Sequence, residues 1–223
     1  MKTSSSIRLT LFCLLLVVVL IFGLVVGRQV FLVGNQEPIP APDLRDFNTY
    51  VYDNPRPLTE FTLTNEAGET VTRESLQGHW TFAFVGYTNC PDICPAAMAN
   101  LRQTDQLLSS ELPQPEYLLV SADPEHDTPE KLEAYTNFFS ENFHGLTGDL
   151  ETLRALAKSL NAVFVHREVD GELLVDHSGH FALLNPDGKL AAVMQPPHNP
   201  HNLAEAFKRI YEWAKANRDR VSS

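Results

Sequence analysis

Between Arg8 and Arg28 the chain runs LTLFCLLLVVVLIFGLVVG, nineteen residues without a charge or a proline. A stretch this apolar and this long has one economical solution, a helix surrounded by lipid, because only intrahelical bonding satisfies its backbone there. At about 1.5 Å per residue such a helix reaches ~28 Å, close to the thickness of a bilayer's hydrocarbon core. A cleaved export signal has a shorter apolar region of about 7 to 15 residues and ends at a small-x-small site. VVGRQVFLVG offers no such site, so residues 9–27 read as an uncleaved transmembrane anchor, with Cys13 as one of its apolar members. Lys2, Arg8 and the α-amino group, with no acid among them, keep residues 1–8 in the cytoplasm and export the chain beyond Arg28. Too few residues precede the span for an organelle transit peptide. The expected location is therefore a bacterial inner membrane, crossed once, with the C-terminal domain in the periplasm.

The 223 residues suffice for one domain beyond the anchor, and 43% hydrophobic content is enough to give it a core. A net charge of −11 argues against nucleic acid or an anionic membrane surface as partner, while leaving room for a basic one. Residues 28–58 carry EPIPAPDLRDF and YDNPRPL, and read as a tether and extended lead-in. The domain proper is expected over residues 59–218, with 219–223 as a short tail.

Inside it, TEFTLTNEAGE suggests a hairpin arm, and HWTFAFVGYT and EYLLVSAD suggest buried strands by their aromatic and β-branched density. PAAMANLRQTDQLLSSEL has helical composition, and DTPEKLEAYTNFF predicts a second helix with Asp127 or Thr128 as cap and Pro129 in its first turn. GLTG gives a short strand, Asp149 opens a third helix, HFALLNPDGKLAAVMQ forms a hairpin around NPDG, and HNLAEAFKRIYEWAKANR closes the chain as an amphipathic helix. Helices alternating with central strands and a terminal hairpin imply an α/β fold, a mixed sheet flanked by helices, and two cysteines at the carboxyl end of its first central strand make this the plan of a thioredoxin-like domain.

Chemistry concentrates in TNCPDICPAAM, where Cys90 and Cys94 stand four apart and each precedes a proline. Pro95 suits the first helical position, which would set Cys94 near the amino cap and Cys90 in the entering loop. A helix amino terminus favours thiolates at lower pH than the roughly 8.5 of a free cysteine. Thiolates both attack disulfides and bind metals, so a structural disulfide, a redox couple and a metal site all remain open. A thiol-disulfide enzyme of this plan usually has two residues between its cysteines and a proline before the strand of the last hairpin. VDHSGHFALLNPDG has no proline there and presents His177 instead. Two soft sulfurs and one imidazole suit Cu(I), an added oxygen ligand suits Cu(II), and Zn²⁺ normally takes four protein ligands in structural sites. A peroxidase is disfavoured, since the loop has no arginine and Thr88 is only two residues before Cys90.

YTNCPDICP, VSADPEHDTPEKL, GLTG and VDHS, in that order, resemble the Sco (SenC/PrrC-like) family of membrane-anchored copper proteins, across roughly residues 57 to 216. The resemblance implies a thioredoxin-like domain binding one copper ion, Cu(I) or Cu(II), through Cys90, Cys94 and His177. It implies a metallochaperone that supplies the dinuclear copper centre of cytochrome c oxidase, with the oxidase copper subunit and other periplasmic copper carriers as partners. Two alternatives accompany it: a thiol-disulfide reductase that keeps the acceptor's cysteines reduced through Cys90 and Cys94, and a copper or redox sensor. Asn89 stands where the family often has histidine, and His180 is additional to its pattern.

Among the neighbours, Asp176 reads either as orienting the His177 ring or lending an oxygen to Cu(II), or as a solvated turn residue, and Asp123, on the same rim as the cysteines, either as a support or partner contact for the site or as a loop-shaping residue. Asp92 reads as a helix-start residue, and Met98 as core filler. His180, three residues past His177, points to the opposite side of a strand. His198 and His201 fall in the proline-rich loop QPPHNPHN.

Overall fold

The computed structural model describes residues 3–33, 38–169 and 172–222. These divide into two compact units, one of residues 40–212 and one of the chain before Pro40 together with Trp213 onward.

In the second unit, helix α1 (Thr3–Val33) contains Leu9–Gly27, the one helix among the described residues long and apolar enough to cross a membrane. Its apolar side chains from Leu9 to Val26 bury no face against protein, as a helix solvated by lipid requires. Ile39 is fastened to the chain's final helix: Trp213 Nε1 donates to its carbonyl at 2.8 Å, and its own amide donates to Asn217 Oδ1 at 2.8 Å.

The larger unit is built on an eight-stranded sheet. Its strands are β1 (Thr49–Pro57), β2 (Thr62–Asn65), β3 (Thr70–Thr72), β4 (Thr81–Gly86), β5 (Glu116–Ser121), β6 (Phe143–Thr147), β9 (Phe181–Leu184) and β10 (Lys189–Met194), ordered β1-β10-β9-β4-β5-β6-β2-β3. Strands β4, β5 and β6 run parallel, and the other pairings are antiparallel. The connections carry α2 (Ile93–Leu107), α3 (Pro129–Asn137) and α4 (Leu150–Ser159), and α5 (Pro200–Ser222) follows the last strand. Strands β7 (Phe164–Val169) and β8 (Glu172–His177) form a separate two-stranded hairpin.

The core follows from the strand pattern. All six residues of β4 are buried, as expected of a central strand with both faces covered. Phe82, Tyr117 and Phe143 pair across β4, β5 and β6, with neighbouring rings stacked at 5.6 and 4.5 Å. Phe207 of α5 packs on Trp80 and Phe82.

Three features differ from the sequence reading. The lead-in expected over 28–58 supplies β1, whose alternating Thr49, Tyr50 and Val51 pair with β10 and put Thr49 and Val51 inside. The β7–β8 hairpin has no counterpart in the expected order of elements. Helix α2 begins at Ile93 with Asp92 in the cap position, so Cys94 lies inside the first turn and Pro95 one residue beyond it. The Asp92 side chain makes no capping bond. Thr128, rather than Asp127, caps α3, and Asp149 caps α4.

Candidate metal centre

Strand β4 ends at Gly86, and the chain turns at Tyr87–Pro91 before entering α2. A side chain on Gly86 would meet Cys94 Sγ at 2.9 Å and Phe84 Cε1 at 2.8 Å, so the strand end passes directly against the buried thiol. Cys90 N–H donates to the Tyr87 carbonyl at 3.2 Å, and Cys94 N–H faces Cys90 Sγ at 3.4 Å. Cys90 is half-buried and Cys94 fully buried.

The third group arrives from 83 residues away. His177 ends β8, and its Nε2 lies 3.3 Å from Cys94 Sγ. Its Nδ1 faces the Ser178 carbonyl at 3.2 Å. A carbonyl can only accept, so the proton sits on Nδ1 and Nε2 presents its lone pair to the sulfur. Phe84 and Tyr87 bracket the imidazole edge-on, with centroids 5.5 and 6.1 Å away. The two sulfurs and Nε2 all lie within 4.8 Å of one another, the one such group among the described residues. Around an ion with bonds of about 2.0–2.3 Å at tetrahedral to trigonal angles, ligand atoms are roughly 3.3–4.0 Å apart. The donors therefore fit a single soft ion with small side-chain adjustments.

Electrostatics here depart from the helix-terminus expectation. Burial pushes the Cys94 thiol well above the usual cysteine range, and the neighbouring Cys90 sulfur adds to it. Burial likewise lowers the proton affinity of His177, which favours the neutral ring that a ligand needs.

The carboxylates are arranged differently from the sequence reading. Asp176 is exposed and ion-paired with Arg167 across the hairpin, so it turns away from the His177 ring. Its position next to His177 on a strand sends the two side chains to opposite faces. Asp123 is buried beyond the end of β5 and accepts from His126 Nδ1 at 2.9 Å, with no bond to either cysteine or to His177. The carboxylate that supports the cysteine loop is Asp127. Fully buried, it accepts from Thr88 N–H (3.1 Å), Thr88 Oγ1 (2.6 Å) and Ser121 Oγ (2.6 Å). Burial raises its pKa despite those bonds. The helix-start pattern DTP hides this role, because an aspartate before Thr-Pro reads as a cap. Met98 is core, as expected.

Three further histidines, His166, His180 and His198, each meet a backbone carbonyl. His166 Nε2 donates to the Ala122 carbonyl at 2.6 Å, and Ala122 N–H donates to the Gly86 carbonyl at 2.7 Å, which ties the hairpin to the strand ends beside the cysteines. His180 is buried against the Leu160 carbonyl, His198 is half-buried, and His201 is exposed.

Comparison with known proteins places this geometry in a lineage. A putative copper-binding protein from Stutzerimonas stutzeri is 34% identical over 167 residues, covering 74% of this chain and 82% of that one. Against the mitochondrial relatives it matches, the chain spans about half their length. The copper-bound crystal structure of Arabidopsis thaliana ScoI superposes with a TM-score of 0.65 at 30% identity, covering 69% of this chain and 98% of that one. The structure of BsSco, described as containing a disulfide switch and as a member of the Sco family of cytochrome c oxidase assembly proteins, gives 0.56 at 26% identity, covering 74% and 95%. The SCO1/SenC family model matches residues 52–212, a span that takes in both cysteines, Asp127 and His177 alike, and by that match the chain belongs to the SCO1/SenC family.

Proposed function

We propose that this protein is a copper metallochaperone: Cys90, Cys94 and His177 hold one copper ion as cargo and pass it to the dinuclear copper centre of cytochrome c oxidase. The observation that carries the reading is the convergence of two sulfurs and the His177 Nε2 within 4.8 Å. Two thiolates and an imidazole are a soft, three-coordinate set suited to Cu(I), with a side open to an incoming ligand. Burial assigns the order of exchange. Cys90 is the more accessible sulfur and is displaced first by an acceptor thiolate, whereas Cys94, beneath it, leaves last. Asp176 and Asp123 act outside the ligand set, through Arg167 and His126 respectively.

The apolar helix supports a membrane anchor, and we place the domain on the periplasmic face, where the copper subunit of an oxidase presents its site and other copper carriers can dock. Protease treatment of spheroplasts tests the orientation: the domain is digested while the membrane stays sealed, and protection would refute it.

The function is tested by anaerobic copper titration of reduced protein against a competing chelator. One tight site is expected, lost in Cys90→Ser, Cys94→Ser and His177→Ala. A His177→Ala variant that binds as wild type overturns the three-ligand reading. A second reading, a thiol-disulfide reductase, draws support from the closeness of the two sulfurs and from the likeness to BsSco. In it the Cys90–Cys94 dithiol would oxidise to a disulfide as an acceptor disulfide is reduced. The attacking thiolate would be the half-buried Cys90, with Cys94 closing the disulfide, so the raised Cys94 pKa, which copper binding must also overcome, does not separate the two readings. Restoration of oxidase assembly in cells by His177→Ala would favour the reductase.

A further inference from the structure

The turn that delivers His177 is HSGHF, and Ser178, Gly179, His180 and Phe181 are each held by groups outside the turn. Ser178 N–H donates to the Val163 carbonyl at 2.9 Å, and Val163 N–H donates to Ser178 Oγ at 3.0 Å. His180 Nε2 donates to the Leu160 carbonyl at 3.2 Å. Phe181 is buried, edge-on to Phe84 at 5.6 Å, and Phe84 in turn meets His177. Gly179 has no side chain to anchor it, and its carbonyl is taken by His198 Nε2 at 2.7 Å.

His198 grips this turn in two ways at once. Besides the bond to Gly179, its ring lies on Phe181 with centroids 3.9 Å apart and planes 23° from parallel. The other ring nitrogen, Nδ1, is buried without a partner. The stack and the Nε2 bond are thus the contacts that hold the ring in place. Burial also keeps the ring neutral, which leaves its one proton on Nε2, where the bond to Gly179 requires it.

We propose that His198 is a positioning residue for His177: stacked on Phe181 and bonded to the Gly179 carbonyl, it fixes the turn that aims the His177 Nε2 at the cysteine sulfurs. The chain's proline-rich loop after β10 thereby supports the metal site from outside the ligand set. Such outer supports typically change metal affinity about tenfold or more when removed. The inference rests on the reading of His177 as a copper ligand.

The test uses the full chain in detergent micelles, with His198→Phe, which keeps a flat ring on Phe181 but removes the donor, and His198→Gln, which restores a donor near the Nε2 position. Cu(I) affinity is expected to fall about tenfold in His198→Phe and to recover most of that in His198→Gln. Without copper, the imidazole ¹⁵N spectrum should show His177 in the single Nδ1–H form in wild type and as a tautomer mixture in His198→Phe. Three results overturn the proposal: His198→Phe within twofold of wild type, a His177 tautomer unchanged in His198→Phe, or a His198→Gln loss matching His198→Phe. If His177→Ala itself binds copper as wild type does, the ligand reading beneath the proposal has failed, and the two failures are told apart by that one arm.

Discussion

At the scale of single residues, the buried Cys94 thiol sets the pH behaviour of the site. Its pKa lies well above neutrality, chiefly through burial, so copper binding near pH 7 must expel its proton. Apparent copper affinity is therefore expected to rise at least tenfold per pH unit between pH 6 and 8, measured by chelator competition at each pH, and a flat profile would mean that Cys94 is not a ligand. Asp127 gives a stability prediction. Asp127→Ala leaves Thr88 N–H, Thr88 Oγ1 and Ser121 Oγ without their acceptor and should cost about 2–3 kcal/mol in denaturant unfolding, with weaker copper binding because Thr88 leads into Cys90. The cysteine pair was legible in the sequence as a CxxxCP loop after a buried strand, whereas His177 stood out as a candidate ligand only through the resemblance that VDHS helps to carry. The roles of Asp176, Asp123 and Asp127 were not legible. Which way a carboxylate faces depends on strand alternation and on partners distant in the chain, as Asp127 and Thr88 are at a separation of 39.

Among the elements, the central strands and their helices were readable from apolar density and helix-start residues, and Thr128, Pro129 and Asp149 fall within the first turns they announce. Strand β1 was obscured by the prolines and acids around it, since its evidence is a pairing with β10, some 140 residues later. Among the described residues the β7–β8 hairpin pairs only with itself, so no sheet neighbour marks it. Elsewhere the β2–β3 turn is latched to β6 by Glu66, which accepts from His144 Nδ1 at 2.8 Å and Gly145 N–H at 2.9 Å. The bond to Glu66 raises the His144 pKa above its ordinary 6.5, a contribution complete below that value and lost as pH rises through the folded one. Burial pulls the Glu66 carboxyl up, but its hydrogen bonds prevail and hold it below its ordinary 4.5, a contribution present above that value and lost as pH falls through the folded one. The latch is thus strongest between about pH 4.5 and 6.5, and His144→Gln should lower the melting temperature more at pH 6 than at pH 8.5. Gly86→Ala is expected to destabilise the domain by about 1–3 kcal/mol, because the new methyl meets Phe84 and Cys94 closer than van der Waals contact allows.

For the molecule as a whole, α1 makes a simple demand: the full chain should stay with membranes through an alkaline carbonate wash, and a chain starting at Arg28 should leave them. The site has a further effect on the entire domain, set by where its donors sit in the chain. Cys94 and His177 are 83 residues apart, so an ion gripped by both is a removable cross-link that closes a long loop. By the chain-entropy argument used for disulfides, a tie across a loop of that length stabilises the folded state on the order of 4 kcal/mol. Loaded carriers should resist thermolysin at concentrations that digest empty ones. Handing over the cargo then also cuts the tie, so a spent carrier becomes a softer target for proteolysis than one still on its errand.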